Sequence, residues 1–81
     1  MPLDQSVILR NFGRRMRAIR LQQAVTQEEL AHRAGLDRSY VGQVERGERN
    51  VTLFNIVLLA SALDVEPSAF FSVEKIKRGD A

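Results

Sequence analysis

Residues 38–43 bring together four side chains that can hydrogen-bond to nucleic-acid bases or pack against them: Arg38, Ser39, Tyr40 and Gln43. Arginine can grip O6 and N7 of guanine with two hydrogen bonds, and serine and glutamine can also reach base edges. Tyrosine can pack on a thymine methyl group or bond a phosphate. All four lie at the exposed start of a predicted helix that follows a turn, a typical way to present side chains to the DNA major groove.

Two short helices joined by a glycine turn must position these side chains, and residues 26–47 have the pattern of such a unit. Thr26 and Glu29 form a capping box, in which Thr26 accepts from the Glu29 amide and Glu29 bonds back, at the start of the first helix. Gly35 supplies the positive φ that ends this helix and turns the chain. Asp37 is the predicted cap of the second helix.

The second helix of the unit is predicted to run over about residues 38–46 and to end at Gly47. At helical spacing Val41 and Val44 point to the core, so the opposite face is predicted to point outwards. Ala31, in the preceding helix, is small enough to let a neighbouring helix cross closely. The outward face consists of Arg38, Ser39, Gly42 and Gln43.

The remaining sequence predicts three further helices and no sheet, so we expect one all-α domain over residues 1–81. A fourth helix, 53–63, is capped by Thr52. A fifth, short helix begins at Pro67. The first helix of the chain is predicted from an apolar face at helical spacing, formed by Leu9, Phe12, Met16 and Ile19.

Composition excludes several classes of protein. Without cysteine there is no disulfide framework and no thiolate metal site. The single histidine, His32, lies inside a predicted helix, and no metal-ligand cluster or Gly-rich phosphate loop is present, so we expect no enzyme, metal or cofactor. The N-terminal residues lack the pattern of a secretory signal, and no apolar run approaches the roughly 20 residues of a membrane span. We therefore expect a cytoplasmic, nucleoid-associated protein without a membrane partner.

Positive charge is concentrated in the first part of the chain. Residues 1–50 hold nine arginines against six acidic residues, whereas residues 51–81 hold three basic residues against four acidic ones. Arginine suits bidentate contact with phosphate and guanine. The alternative is a solvated, arginine-rich surface without a partner.

Over about residues 9–71, the chain resembles the Cro/C1-type (XRE-like) helix-turn-helix family. The resemblance lies in the segments FGRRMRAIR, TQEELAHRAGLDRSYVGQVERGERN and LLASALDVEPSAFF. Within that family, the segment LDRSYVGQVERGERNVT is similar to the controller proteins of restriction–modification systems. The resemblance implies a compact five-helix, lambda-repressor-like domain and a homodimeric regulator that binds palindromic operators ahead of its own gene and the endonuclease gene. A chromosomal or phage repressor of the same fold is the alternative.

The resemblance also implies which residues contact double-stranded DNA. The family fold would place residues 38–43 in the major groove, where Arg38, Ser39, Tyr40 and Gln43 contact bases. Helix dipole and backbone amides favour a phosphate at the helix start where Gln27 lies. The predicted contacts to the DNA backbone are Gln27, Arg17, Arg46, Arg49 and Asn50. Alternatively, Tyr40 packs on the first helix, Ser39 serves the helix cap, and the loop with Arg49 and Asn50 is simply solvated.

The resemblance further implies a structural ion pair between Arg20 and Glu45. Removing one partner of a buried pair leaves an uncompensated charge. We therefore expect Arg20→Ala to lose folding stability before it loses any base contact.

The fourth helix carries more apolar residues than one core requires. Its core positions by resemblance are Leu53, Ile56, Leu59, Ala60 and Leu63. A helix that is apolar nearly all round is buried on both sides. We therefore predict a homodimer through about residues 52–73, with an interface formed by Phe54, Val57, Leu58 and by Phe70 or Phe71. One alternative is that the fifth helix and the C-terminal tail cover these apolar residues within one monomer. Another is that the chain is an antitoxin-like module that binds a different protein there. RNA polymerase is a further candidate partner.

Overall fold

Five helical segments follow one another in the part of the chain that the structure describes. The computed structural model describes residues 3–71, and no residue of that range is in a β-strand. The segments are four α-helices, α1 (Gln5–Gln22), α2 (Gln27–Ala34), α3 (Arg38–Glu45) and α4 (Leu53–Ala62), and a 3-10 helix at Pro67–Phe71. The all-α prediction is confirmed, and the predicted fifth helix is this single 3-10 segment.

Helix α1 is held at its start by a side-chain cap and in its middle by core packing. The Asp4 carboxylate accepts hydrogen bonds from the Ser6 amide at 3.0 Å and from the Ser6 hydroxyl at 2.8 Å. Both bonds lower the pKa of the Asp4 carboxyl, and the bond with the Ser6 hydroxyl has the larger effect. Further along, Phe12, Met16 and Ile19 are buried at the predicted helical spacing.

The turn between α2 and α3 is formed largely as predicted. Thr26 accepts from the Glu29 amide at 3.0 Å, while the Glu29 carboxylate accepts from Arg33 at 2.8 Å. Gly35 ends α2 with φ of +71°. Asp37 is the N-cap residue of α3, as predicted, but its side chain makes no cap hydrogen bond. Its carboxylate instead accepts from the Ser39 hydroxyl at 2.9 Å.

The core lies where α1, α2, α3 and the second half of α4 meet. Phe70, from the 3-10 helix, packs edge-on against Phe12 with ring centroids 5.1 Å apart. Leu53 was predicted to be in the core but is 77% exposed. Leu53 is the first residue of α4, whereas the buried residues of this helix lie in its second half. Of the helices in residues 3–71, none combines the length and the apolar character needed to cross a bilayer.

Candidate DNA interface

The exposed start of α3 and the first residue of α2 line one open depression in the surface. Arg38 and Ser39 are exposed there, whereas Gln43 is half-buried. The depression therefore brings together residues that the sequence analysis assigned separately to base contact and to backbone contact. Its lining consists of Gln27, Asp37, Arg38, Ser39, Gly42, Gln43 and Arg46.

Gly42 is buried, although the sequence predicted that it would face outwards. A Cβ atom at this position would lie 3.2 Å from Nη1 of Arg46 and 3.6 Å from Oε1 of Gln27. These two side chains close over the glycine because it has no side chain of its own. Gly42 thus leaves room for the ends of the Gln27 and Arg46 side chains to pack over α3.

Beneath the depression, Arg20 and Glu45 form a buried ion pair. The Arg20 guanidinium donates through Nε at 2.6 Å and through Nη2 at 2.9 Å to the two carboxylate oxygens of Glu45. Its third nitrogen donates to the Val25 carbonyl at 2.9 Å. The side chains are 7% and 2% exposed, so the pair lies in the interior and ties α1 to the end of α3.

Two residues predicted to contact the DNA backbone converge on the same buried carboxylate. Gln27 donates from Nε2 to Glu45 at 3.0 Å, which fixes the side chain at the start of α2. Arg17 has its Nε atom 3.9 Å from Glu45, but its side chain is 59% exposed. Arg17 therefore extends from the buried pair toward the surface.

Tyr40 is partly buried against the core and also bridges to α4. Its hydroxyl accepts a hydrogen bond from Nδ2 of Asn55 at 3.1 Å. The guanidinium carbon of Arg49 lies 4.9 Å from the centroid of the Tyr40 ring, a cation–π arrangement. Asn55 was missed by the sequence analysis, and its place in the first turn of α4 gave no sign of this bond.

The loop after α3 holds cations near the depression. Arg49 donates to Oε1 of Gln43 at 3.0 Å. Arg46 pairs with Glu48 at 3.0 Å and 3.2 Å, and this hydrogen-bonded carboxylate raises the pKa of Arg46. Asn50 is exposed in the same loop. Glu48, which the sequence analysis did not single out, thus holds the side chain of Arg46, one of the predicted contacts to the DNA backbone.

The predicted dimer residues divide into exposed and buried groups. Phe54 and Val57 are 70% and 46% exposed, and Phe71 is 57% exposed. Leu58 is half-buried against the core. Phe70 is only 1% exposed, so its assignment to the dimer interface was wrong; its ring is used within the monomer. The exposed Leu53 adjoins Phe54 in the first turn of α4.

Across 3–71, no group of three or more His, Asp or Glu side chains is arranged to hold a metal ion. His32 is exposed on α2.

Known proteins share this fold and much of this sequence. The helix-turn-helix family HTH_3 matches residues 16–70. The control protein C.BamHI of Bacillus amyloliquefaciens is 46% identical over 57 residues, which are 69% of this chain and 70% of the relative.

Two solved structures extend this similarity. The restriction-modification controller protein C.AhdI of Aeromonas hydrophila has a TM-score of 0.77 and 57% identity, with 78% of this chain and 96% of that chain covered. The controller protein C.Esp1396I, solved as a tetramer in complex with its natural 35 base-pair operator, has a TM-score of 0.75 and 36% identity, over 82% of this chain and 87% of that chain. The chain therefore belongs to the XRE-type helix-turn-helix family of DNA-binding transcriptional regulators.

Proposed function

We propose that the protein is a homodimeric controller of a restriction–modification system, binding a two-fold symmetric operator ahead of its own gene and the endonuclease gene. The observation that carries this is the depression shared by α2 and α3, with Arg38 exposed at its edge. The similarity of this chain to C.AhdI, which covers 96% of that controller protein, supports the role in a restriction–modification system. Operator binding would place the protein on the nucleoid in the cytoplasm, and RNA polymerase at the neighbouring promoter is a further proposed partner.

The start of α3 supplies base contacts in this proposal. Arg38 is exposed and can grip guanine O6 and N7, which is worth about 1–3 kcal/mol of discrimination. Ser39 and Gln43 lie on the same face and reach neighbouring base edges. Tyr40 contributes its ring edge to a thymine methyl group, and its hydroxyl, which accepts from Asn55, still has a proton to donate to a phosphate.

The contacts to the DNA backbone surround this face. Gln27 is the first residue of α2, where helix dipole and free amides favour a phosphate, and its bond to Glu45 holds it in place. Arg46, Arg49 and Asn50 form the proposed contacts on the loop side, and Arg17 on the α1 side. Such contacts position a protein on the duplex and carry no sequence information of their own.

Dimerisation through α4 completes the proposed function. Leu53, Phe54 and Val57 expose a contiguous apolar surface in the first turns of that helix. Exposed apolar surface of this kind marks a site of protein association. We place Leu58 at its edge and Phe71 as a contribution from the 3-10 helix. Two recognition helices about 34 Å apart would then read half-sites one turn of DNA apart.

Footprinting on the DNA immediately upstream of the gene tests this function. The wild-type chain is expected to protect a two-fold symmetric site, and Arg38→Ala to lose this protection while staying folded by circular dichroism. Arg33→Ala is the matched control, because it also removes one positive charge but lies in the last turn of α2, at the opposite end from Gln27. Absence of a symmetric footprint, with equal binding to random DNA, would contradict the proposal.

A further inference from the structure

Gln43 is held in one orientation by its neighbour Arg49. The Nη1 atom of Arg49 lies 3.0 Å from Oε1 of Gln43. A guanidinium group has only hydrogen-bond donors, so the amide must turn its oxygen toward Arg49. The NH₂ group of Gln43 is then the part of the amide left to meet a base.

Arg49 is itself held in place through two further side chains. Its guanidinium lies over the ring of Tyr40, at 4.9 Å from the centroid. The hydroxyl of Tyr40 accepts from Asn55 at 3.1 Å, and Asn55 belongs to the first turn of α4. A continuous series of contacts, Gln43–Arg49–Tyr40–Asn55, therefore connects the recognition helix to α4.

We propose that Arg49 determines sequence specificity at one base pair by fixing Gln43 as a hydrogen-bond donor. This inference rests on the proposed binding of α3 in the major groove. There, guanine presents acceptors at O6 and N7, and thymine presents one at O4. Gln43 selects such an acceptor edge. Arg49 is thus a positioning residue for base readout, in addition to its proposed contact with the DNA backbone.

Adenine is disfavoured at this position by the same geometry. The usual bidentate pair of glutamine with adenine needs the amide oxygen to accept from the N6 amino group. In this protein that oxygen already accepts from a cation. The oxygen has a second lone pair, but an adenine amino group bonded there would bring a partially positive hydrogen toward the guanidinium, which repels it.

Binding to a set of operator variants tests the assignment. Once the operator is located by footprinting, each base pair of a half-site is replaced by the other three, and the dissociation constants are measured for wild type, Arg49→Ala and Gln43→Ala. The matched control is Arg46→Ala. It removes one cation from the same loop, but that cation pairs with Glu48 and makes no bond to Gln43.

The expected result is a preference for guanine or thymine of about tenfold at one base pair, the size of one good base contact. Gln43→Ala and Arg49→Ala both reduce this preference to within about twofold, and Arg46→Ala weakens binding equally on all variants. The inference is overturned if Arg49→Ala behaves like Arg46→Ala, or if wild type prefers adenine at the position that Gln43→Ala relaxes. If wild type shows no base preference anywhere, the proposed function itself fails, which is a different result.

Discussion

At the scale of single residues, Glu45 joins the interior of the protein to its proposed DNA-binding surface. Its carboxylate receives two hydrogen bonds from Arg20 and one from Gln27. Arg20 belongs to α1 and Gln27 opens α2, while Glu45 itself ends α3. One buried carboxylate therefore fixes the relative positions of three helices and of a proposed phosphate contact.

Removing one partner of this pair should destabilise the fold strongly. We expect Arg20→Met to lower the free energy of unfolding by about 3–5 kcal/mol, because it leaves the Glu45 charge buried without its partner. The double variant Arg20→Met/Glu45→Met should regain part of this loss, since neither charge remains. Urea unfolding followed by circular dichroism measures both effects.

The control for this prediction is Arg33→Met. Its ion pair with Glu29 joins side chains that are 42% and 46% exposed, and such pairs contribute about 0.5 kcal/mol or less. Equal losses for Arg20→Met and Arg33→Met would show that burial of the Glu45 carboxylate has no energetic consequence.

Sequence reasoning predicted the Arg20–Glu45 pair only through the family resemblance, and it missed the contacts of Asn55 and Glu48. The bonds of Tyr40 with Asn55 and of Gln43 with Arg49 join residues separated by 15 and 6 positions. Their formation depends on the path of the loop between α3 and α4, which no local spacing encodes. Local signals were sufficient for Thr26 and Gly35, because a cap and a left-handed turn depend on adjacent residues alone.

At the scale of elements, the crossing of α1 over α3 depends on Gly13. A Cβ atom at this position would lie 2.2 Å from the Val44 carbonyl oxygen and 2.6 Å from that of Glu45. Backbone atoms of α3 cannot yield to it as a flexible side chain would. The sequence carried a signal for this contact, since a glycine inside a helical pattern often marks a close approach.

Two glycine-to-alanine substitutions should therefore have opposite outcomes. Gly13→Ala is expected to lower the free energy of unfolding by about 3 kcal/mol or more, because the two helices must separate. Gly42→Ala should be neutral or stabilising by up to about 1 kcal/mol, since alanine favours helix and the nearest atom is the movable end of Arg46. Thermal or urea unfolding of the two variants provides the comparison, and a stable Gly13→Ala chain would contradict the close crossing.

At the scale of the whole molecule, residues 3–71 leave the apolar start of α4 exposed, along with several apolar side chains on and before α1. Phe70 belongs to the core, so the 3-10 helix does not cover Leu53 and Phe54 with that ring. The overpopulation of apolar residues in α4 was visible in the sequence. The sequence did not show which of these residues face the core. In the structure, the buried ones lie in the second half of the helix.

Disrupting this surface should separate the protomers without unfolding them. In sedimentation equilibrium, the wild-type chain of 9.2 kDa is expected to have twice that mass, and Phe54→Asp to have the monomer mass with unchanged helicity. Leu21→Asp is the matched control, because Leu21 is also an exposed apolar residue, at 51%, but lies on α1 and is not among the proposed dimer residues. A wild-type chain with the monomer mass would show that the protein does not dimerise. A Phe54→Asp chain with the dimer mass would place the dimer interface elsewhere.

The most direct test of sequence-specific recognition through α3 is the ratio of affinities for operator and random DNA. At one fixed salt concentration, wild type and Arg33→Ala should bind the operator at least about 10³-fold more tightly than random DNA. Arg38→Ala should lose about tenfold or more of this ratio while its affinity for random DNA changes little. An Arg38→Ala chain that weakens equally on both DNAs, or a wild-type chain that does not discriminate between them, would contradict the account.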